Sequence, residues 1–284
     1  MEYGQLIRQI RLEKGFSQKE TYIDIITKSY SIEFEKGNHD LSFKLLEQVL
    51  ERLMVDMEEF IFLYNFYQEP NENLWKRYEL ASNNNNIEAI LDIYNKSSYK
   101  SDKKNHLLRS LSKIKYDFLS KPDNTQIVDS DDLLFLTDYL TSIETWTLQE
   151  TKIYANMMNY CSNEQQKIFY RNSLKKINIY KNFPLGKKIY LTLLLNSCGN
   201  FISQRNLKLA EDAIEHLKLF ATGTEDMIFK LYVMYFENVI SYCKGEKKNS
   251  QKEIFFVINT LSKLNYRFLS EQCSNFFNEV KEEY

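Results

Sequence analysis

The chain has 284 residues, of which 43% are hydrophobic and 14% aromatic, and its formal net charge is −2. This length and apolar content suit two domains with cores and exclude a disordered protein. The near-neutral charge excludes a global basic surface for nucleic acid, so any DNA binding must come from local charge placement. We expect a cytoplasmic protein with no membrane partner. The first residues lack a secretory pattern, and no stretch reaches the roughly 18 uncharged apolar residues of a membrane span.

Three prolines and seven glycines favour long helices over strands, and the first 67 residues read as five helices. An apolar stripe predicts a first helix that Gly15 ends, and the capping-box pair Ser17 and Glu20 starts a second helix. A third helix is predicted from about Lys28 to Lys36, with Gly37 after it. Apolar spacing predicts the other two helices, at residues 45–53 and 57–67.

The polar break Glu69-Pro70-Asn71 divides the chain. It predicts a domain at 1–66, a linker at 67–71 and a second domain at 72–284. Beyond the break, helices alternate with short polar turns, as in helical hairpins. The predicted turns are Asn83–Asn86, Ser97–Asp102, Lys121–Asn124, Ser162–Asn163, Asn182–Phe183, Gln204–Asn206, Thr222–Gly223 and Lys244–Lys247.

Three local signals place helix ends in the second domain. Thr147 and Glu150 have capping-box spacing, Pro184 suits the first turn of a helix, and Gly223 suits a left-handed C-cap. Two hairpins of about 40 residues, Pro184–Ala221 and Thr224–Lys263, resemble tetratricopeptide-like units. Stacking of such units predicts an all-α fold in which the second domain is a right-handed superhelix with a concave face.

The apolar character of residues 227–243 on nearly all sides makes this segment a buried helix or one wall of an apolar groove.

The N-terminal helices resemble a helix-turn-helix of the phage-repressor (Xre) type. The matching segments are Gly4–Arg11, Gly15–Gln18, Phe34–Gly37 and Leu41–Phe60. Glu35 is expected to bond back to Arg8 or Arg11, and Gln18 to reach a DNA phosphate from a helix N-terminus. The positions free to meet bases are Thr27, Lys28, Ser29, Tyr30 and Glu33. The full set of predicted DNA contacts is Arg11, Ser17, Gln18, Thr27, Lys28, Ser29, Tyr30, Glu33 and Lys36.

Charge weighs against strong DNA binding by one copy of this domain. Residues 1–60 carry eight lysines and arginines against twelve aspartates and glutamates, and Glu33 stands where a basic residue is frequent. We therefore expect a homodimer that holds two half-sites. The alternative is a small helical bundle that contacts protein.

The second half of the chain also has a family resemblance. Leu136–Leu140, Trp146, Glu150 and Asn156 resemble a stretch of the Rgg/GadR/MutR regulators, and Leu193–Leu217 and Phe229–Gly245 resemble their next repeats. With the N-terminal domain, the resemblance spans essentially the whole chain. It implies a homodimeric transcription regulator that responds to a short imported signalling peptide, as in quorum sensing.

The residues of the repeat domain permit peptide binding. An Asn amide pairs with both N–H and C=O of an extended peptide, Tyr and Met form apolar pockets, and Arg171 suits a carboxylate. The alternative for each is a place in the core. The predicted peptide contacts are Tyr154, Asn156, Met157, Asn159, Tyr160, Arg171, Tyr190, Asn196, Asn200, Tyr235, Asn238 and Tyr242.

Enzymatic and metal motifs are missing from the sequence, which has no G-x-S-x-G, no phosphate-binding Gly-Lys-Ser/Thr loop and no H-E-x-x-H. We expect no catalysis, no metal and no cofactor. The widely spaced cysteines are expected to be buried, reduced thiols. Two other functions stay open: a helical-repeat adaptor that docks a protein partner, and a DNA-binding regulator that senses a small metabolite.

Overall fold

The computed structural model describes residues 1–67, 73–97, 102–120 and 130–284. These residues form two compact units, Met1–Arg77 and Tyr78–Tyr284. The predicted linker at 67–71 lies outside the described residues except for Tyr67, and so does the turn Lys121–Asn124. The turn Ser97–Asp102 is described only at its two ends. Within the described ranges all regular structure is helical, which confirms the predicted all-α class.

Five helices build unit 1, with the predicted order and nearly the predicted ends: α1 (Tyr3–Glu13), α2 (Gln18–Tyr22), α3 (Lys28–Lys36), α4 (Phe43–Leu53) and α5 (Met57–Tyr67). The capping box at the start of α2 is confirmed. The Ser17 hydroxyl accepts from the Glu20 N–H at 3.2 Å, and the Glu20 carboxylate accepts from the Ser17 N–H at 2.7 Å. Gly37 ends α3 at φ 85°, the left-handed region that glycine adopts without steric cost.

The core of unit 1 collects the apolar faces of these helices. Leu6, Ile7, Phe34, Val49 and Phe60 are all fully buried. Helices α1 and α3 approach so closely that a Cβ added to Gly4 would lie 1.7 Å from the Phe34 carbonyl oxygen. The absence of a side chain at Gly4 therefore sets the distance between the first helix and the predicted recognition helix α3.

Unit 2 consists of helices that pack against their neighbours in sequence. The pairs α7 with α8, α13 with α14 and α15 with α16 make the most extensive contacts, which confirms the two predicted hairpins after residue 184. The helices are α6 (Leu74–Asn83, which crosses the boundary between the units), α7 (Ile87–Ser97), α8 (Lys103–Ser120), α9 (Asp131–Ser142), α10 (Leu148–Met157), α11 (Asn163–Leu174), α12 (Ile177–Tyr180), α13 (Pro184–Ser203), α14 (Leu207–Phe220), α15 (Met227–Cys243), α16 (Lys247–Lys263) and α17 (Arg267–Glu283), with a 3-10 turn at Met158–Tyr160.

Two of the three predicted end signals in unit 2 are confirmed, and the third is wrong. Thr147 and Glu150 form a capping box at α10, and Pro184 opens α13. Gly223 does not take a left-handed conformation, since α14 already ends at Phe220. Instead, the Gly223 N–H donates to the Asp226 carboxylate at 2.7 Å in the loop before α15.

Apolar and weakly polar side chains fill the core of unit 2. Cys161, Cys198 and Cys273 are buried and Cys243 is half-buried, all as free thiols. Burial raises the pKa of the Cys161 thiol to about 12, which suppresses its thiolate form.

In the described part of the chain, no helix has the length and apolar character of a membrane span.

Candidate functional site

A buried ion pair fixes the geometry of the helix-turn-helix. The Arg11 guanidinium of α1 donates to both carboxylate oxygens of Glu35 in α3, at 2.6 and 2.9 Å, and also to the Phe16 carbonyl at 2.9 Å. Gln18 Nε2 and the Tyr22 hydroxyl of α2 donate to the same carboxylate, at 2.8 and 2.9 Å. One carboxylate thus joins α1, α2 and α3 through four hydrogen bonds.

The electrostatics of Glu35 follow from this arrangement. Burial by itself would raise its pKa, but the hydrogen bonds from Arg11, Gln18 and Tyr22 hold the pKa below its ordinary value. The predicted bond from Glu35 back to the first helix is therefore present, and Arg11 rather than Arg8 makes it. The prediction that Arg11 contacts DNA needs correction, because its side chain is buried and its donors are engaged within unit 1.

Arg8 is the residue that the sequence prediction left out of the DNA contacts. It is exposed at a cleft of about 540 Å³ whose other lining residues are Gln5, Gln18, Ile32, Glu35 and Lys36. Gln18 is half-buried, and its bond to Glu35 leaves one amide N–H for an outside acceptor. The cleft thus has a cation and an amide donor on α1 and α2, beside the exposed side of α3.

The predicted base-contact positions lie on or just before the exposed face of α3. Thr27 caps the helix by accepting from the Tyr30 N–H, and Lys28 and Ser29 are exposed in the first turn. The Tyr30 ring stacks on His39 with a centroid distance of 5.1 Å, and its hydroxyl donates to the Asp40 carbonyl. This contact orients the tyrosine while leaving 39% of it exposed.

The two predicted charged contacts at the end of α3 pair with each other. The Lys36 ammonium lies 2.7 Å from one Glu33 oxygen, and the Asn38 amide donates to the other at 2.8 Å. These hydrogen bonds lower the pKa of Glu33. The pairing offsets the repulsion that an unpaired carboxylate would exert on a phosphate backbone, and it also occupies Lys36.

Unit 2 has a groove of about 450 Å³ between α13, α15 and α17, within the size range of ligand sites. Tyr232, Tyr235 and Phe236 come from α15, which confirms that this apolar helix helps to line a groove. The polar lining residues are Asn159, Asn196, Asn200, Ser203, Gln272 and Glu279, and the others are Leu195, Gly199, Cys273 and Phe276.

Amide groups dominate the polar side of this groove. Asn200 Nδ2 donates to Asn159 Oδ1 at 2.9 Å, which joins α13 to the 3-10 turn. Asn196 and Gln272 are exposed, and neither side chain makes a hydrogen bond within the described residues. Burial and nearby groups, Glu279 among them, raise the pKa of Tyr235, whose hydroxyl donates to the Cys273 carbonyl at 2.6 Å. The groove therefore offers free amide donors and acceptors above an aromatic floor.

The structure brings four predicted peptide contacts into the groove: Asn159, Asn196, Asn200 and Tyr235. Three others need correction, because Tyr154, Met157 and Tyr190 fill the core away from the groove lining; Tyr235 is also only 1% exposed, but it forms part of the groove wall. The hydroxyls of Tyr154 and Tyr190 are anchored on the carbonyls of Gln166 and Ser173.

The remaining predicted contacts lie outside the groove lining. Tyr160 and Tyr242 are buried, with Tyr242 packed edge-on against Phe277. The side-chain amides of Asn156 and Asn238 donate to carbonyls one turn earlier in their own helices, and Arg171 is exposed on α11. The sequence prediction missed Gln272, Phe276 and Glu279, which α17 brings to the groove from the end of the chain.

Comparisons with known proteins agree with this architecture. The family model described as "HTH-type transcriptional regulator Rgg, C-terminal domain" matches residues 90–275. A Listeria monocytogenes EGD-e protein, assigned as a transcriptional regulator, is 25% identical with a TM-score of 0.87, over 99% of this chain and 97% of that chain.

Two further solved structures share the fold at lower identity. The pheromone receptor Rgg2 of Streptococcus dysgalactiae is 16% identical with a TM-score of 0.77, over 98% of this chain and 99% of that chain. PrgX in complex with cCF10 is 17% identical with a TM-score of 0.78, over 99% of this chain and 92% of that chain.

Proposed function

Because the chain belongs to the Rgg family of helix-turn-helix transcriptional regulators, we propose that it is a peptide-controlled, homodimeric DNA-binding protein. Unit 1 is the proposed DNA-binding domain, and unit 2 is the proposed ligand-sensing and dimerisation domain. The observation that carries the ligand half of the proposal is the amide-lined groove between α13, α15 and α17. We further propose that the protein acts in the cytoplasm, where DNA and an imported peptide are both accessible.

The DNA half of the proposal rests on how unit 1 presents α3. The hydrogen bonds that Arg11, Gln18 and Tyr22 donate to Glu35 join the first three helices, so α3 is held in place while its outer face stays exposed. Lys28 and Ser29 in its first turn can reach base edges or phosphates, and Arg8 can reach a phosphate from α1. The acid excess of residues 1–60 keeps the affinity of one copy low, so two copies on two half-sites supply the strength.

The ligand half rests on the chemistry of the groove. An extended peptide exposes alternating N–H and C=O groups, and side-chain amides satisfy both. The side-chain amides of Asn196 and Gln272 have no hydrogen-bond partner in the part of the chain that the structure describes, so a ligand breaks no bond there. Tyr232, Phe236 and Phe276 offer apolar surface for the side chains of the ligand. Rgg2 is described as a pheromone receptor, and another solved structure of this fold is described as a bacterial peptide pheromone/receptor complex, which supports a peptide over a metabolite for this chain.

Selection of bound sequences from random duplex DNA tests the DNA half with the full chain. We expect enrichment of paired or inverted half-sites. Arg8→Ala and Lys28→Ala should each weaken binding and reduce the salt slope, by about 0.9 for each lost phosphate contact. Lys252→Ala is the matched control, because Lys252 is an exposed lysine on α16 without a partner in the described residues.

The absence of any enriched DNA would refute the proposal. It would favour the second candidate, a helical-repeat adaptor, which the acid excess of residues 1–60 favours.

A further inference from the structure

The residues that line the groove carry formal charge of one sign only. Among the described residues that line the groove, Glu279 on α17 is the only one with a formally charged side chain, and none is a lysine or an arginine. The Glu279 side chain is exposed and makes no hydrogen bond or ion pair within the described residues. Three carboxylates of α14 and α15, Glu211, Glu215 and Glu237, are by contrast paired with Lys244 and Lys218.

Because the rest of the lining is uncharged, this carboxylate decides which ligand charge the groove prefers. Asn159 and Asn200 are already joined by a hydrogen bond, whereas the side chains of Asn196, Ser203 and Gln272 have no hydrogen-bond partner among the described residues. Neutral amides and a hydroxyl bind a peptide backbone without favouring either end. Beside the aromatic floor, the groove therefore holds one group that distinguishes a cationic ligand from a neutral or anionic one.

From this we infer that the groove takes an apolar peptide carrying an ammonium or guanidinium group, which pairs with Glu279. The group is either the free amino terminus of the peptide or a lysine or arginine side chain. A ligand anchored through its carboxylate is disfavoured, because Arg171, the sequence-predicted carboxylate partner, lies outside the groove lining. This inference rests on the proposed peptide-sensing function and specifies the chemistry of its ligand.

Affinity selection from defined peptide pools tests the inference. The full chain is incubated with three pools of random apolar heptapeptides, all amidated at the carboxyl end, and the retained peptides are quantified by mass spectrometry. One pool has a free amino terminus, the second is acetylated and contains one lysine, and the third is acetylated and uncharged. We expect preferential retention of one or both cationic pools, and the preferred pool identifies the source of the positive charge.

Two variants isolate the carboxylate. Glu279→Gln removes the charge with little change in shape and should reduce the preference for the cationic pool about fivefold, the upper range for an exposed ion pair. Glu282→Gln is the control, because Glu282 is an exposed glutamate of the same helix outside the groove lining. Thermal melts of both variants that match the wild type exclude unfolding as the cause.

The possible failures are distinguishable. Equal retention of all three pools by the wild type, or a preference that survives Glu279→Gln, overturns the role of Glu279 and leaves peptide sensing intact. Retention of none of the pools overturns the peptide-sensing proposal, and with it the inference.

Discussion

Replacement of Arg11 by methionine is expected to loosen the helix-turn-helix while leaving unit 2 folded. The Arg11 and Glu35 side chains are 7% and 3% exposed, and the substitution leaves a buried carboxylate without its cation. Removal of one partner of a buried pair costs about 3–5 kcal/mol. We take the lower end, about 3 kcal/mol, because Gln18 and Tyr22 still donate to Glu35.

Hydrogen–deuterium exchange of the full chain measures this effect locally. A loss of about 3 kcal/mol in the opening free energy lowers amide protection in α1 and α3 roughly hundredfold. Exchange assigns the effect to individual helices, which tryptophan fluorescence does not, since Trp75 and Trp146 lie in neither α1 nor α3. Arg8→Met is the control, as it removes an exposed cation from the same helix and should leave protection unchanged.

A further substitution separates charge from packing. Glu35→Gln in the Arg11→Met background should recover part of the protection, because it removes the uncompensated buried charge. A fall of less than threefold in Arg11→Met would refute the conclusion that this ion pair holds α1, α2 and α3 together.

Three further outcomes follow from the same contacts. The pKa of Glu35 is lower in the folded state, so ionised Glu35 stabilises unit 1 fully above the ordinary value of 4.5. This stabilisation is lost as the pH falls through the lowered pKa, and exchange protection of α3, measured from pH 6 downward, should fall over the same range. Gly4→Ala should destabilise unit 1 by about 3 kcal/mol or more in the same assay, because the added Cβ meets the Phe34 carbonyl, whereas Gly15→Ala adds a Cβ in open space and tests only the cost of a positive φ. Thr147→Ala should cost about 1 kcal/mol by removing the cap of α10, and Thr147→Ser should retain most of it.

Helix positions in this chain are readable from the sequence because their determinants are local. The Ser17–Glu20 and Thr147–Glu150 capping boxes formed where their spacing predicted them. Gly223 shows the limit of such reading, since its conformation follows from the carboxylate of Asp226 that captures its N–H. A glycine near a helix end permits a left-handed cap without requiring it.

Helical periodicity, applied more strictly, would have predicted that Arg11 and not Arg8 bonds to Glu35. Arg11 follows Ile7 by four residues, so it shares the buried face of α1, whereas Arg8 faces outward. The residues that line the groove were harder to predict from the sequence. Its lining joins Asn196 to Glu279 across more than 80 positions in the chain, and no periodicity specifies which helices meet at that distance.

Position in the fold, and not burial, separates the predicted tyrosines, because Tyr154, Tyr190 and Tyr235 are each only 1% exposed. The sequence predicted Tyr154, Tyr190 and Tyr235 equally, and all three anchor their hydroxyls on backbone carbonyls. Of the three, Tyr235 alone is among the residues that line the groove, although Tyr190 belongs to α13, which also borders it. Packing of helices from different hairpins, which is a tertiary property, separates a core tyrosine from a ligand contact.

Coupling between the groove and DNA is the central claim, and DNA affinity of the full chain with and without a bound peptide measures it directly. A peptide recovered from the pools should change the dissociation constant for the selected DNA by about five- to 150-fold, the range of allosteric coupling. The double variant Asn196→Ala and Gln272→Ala, which removes two free groove amides, should abolish the change at the same peptide concentration. An unchanged DNA affinity at saturating peptide in the wild type would contradict ligand control of DNA binding.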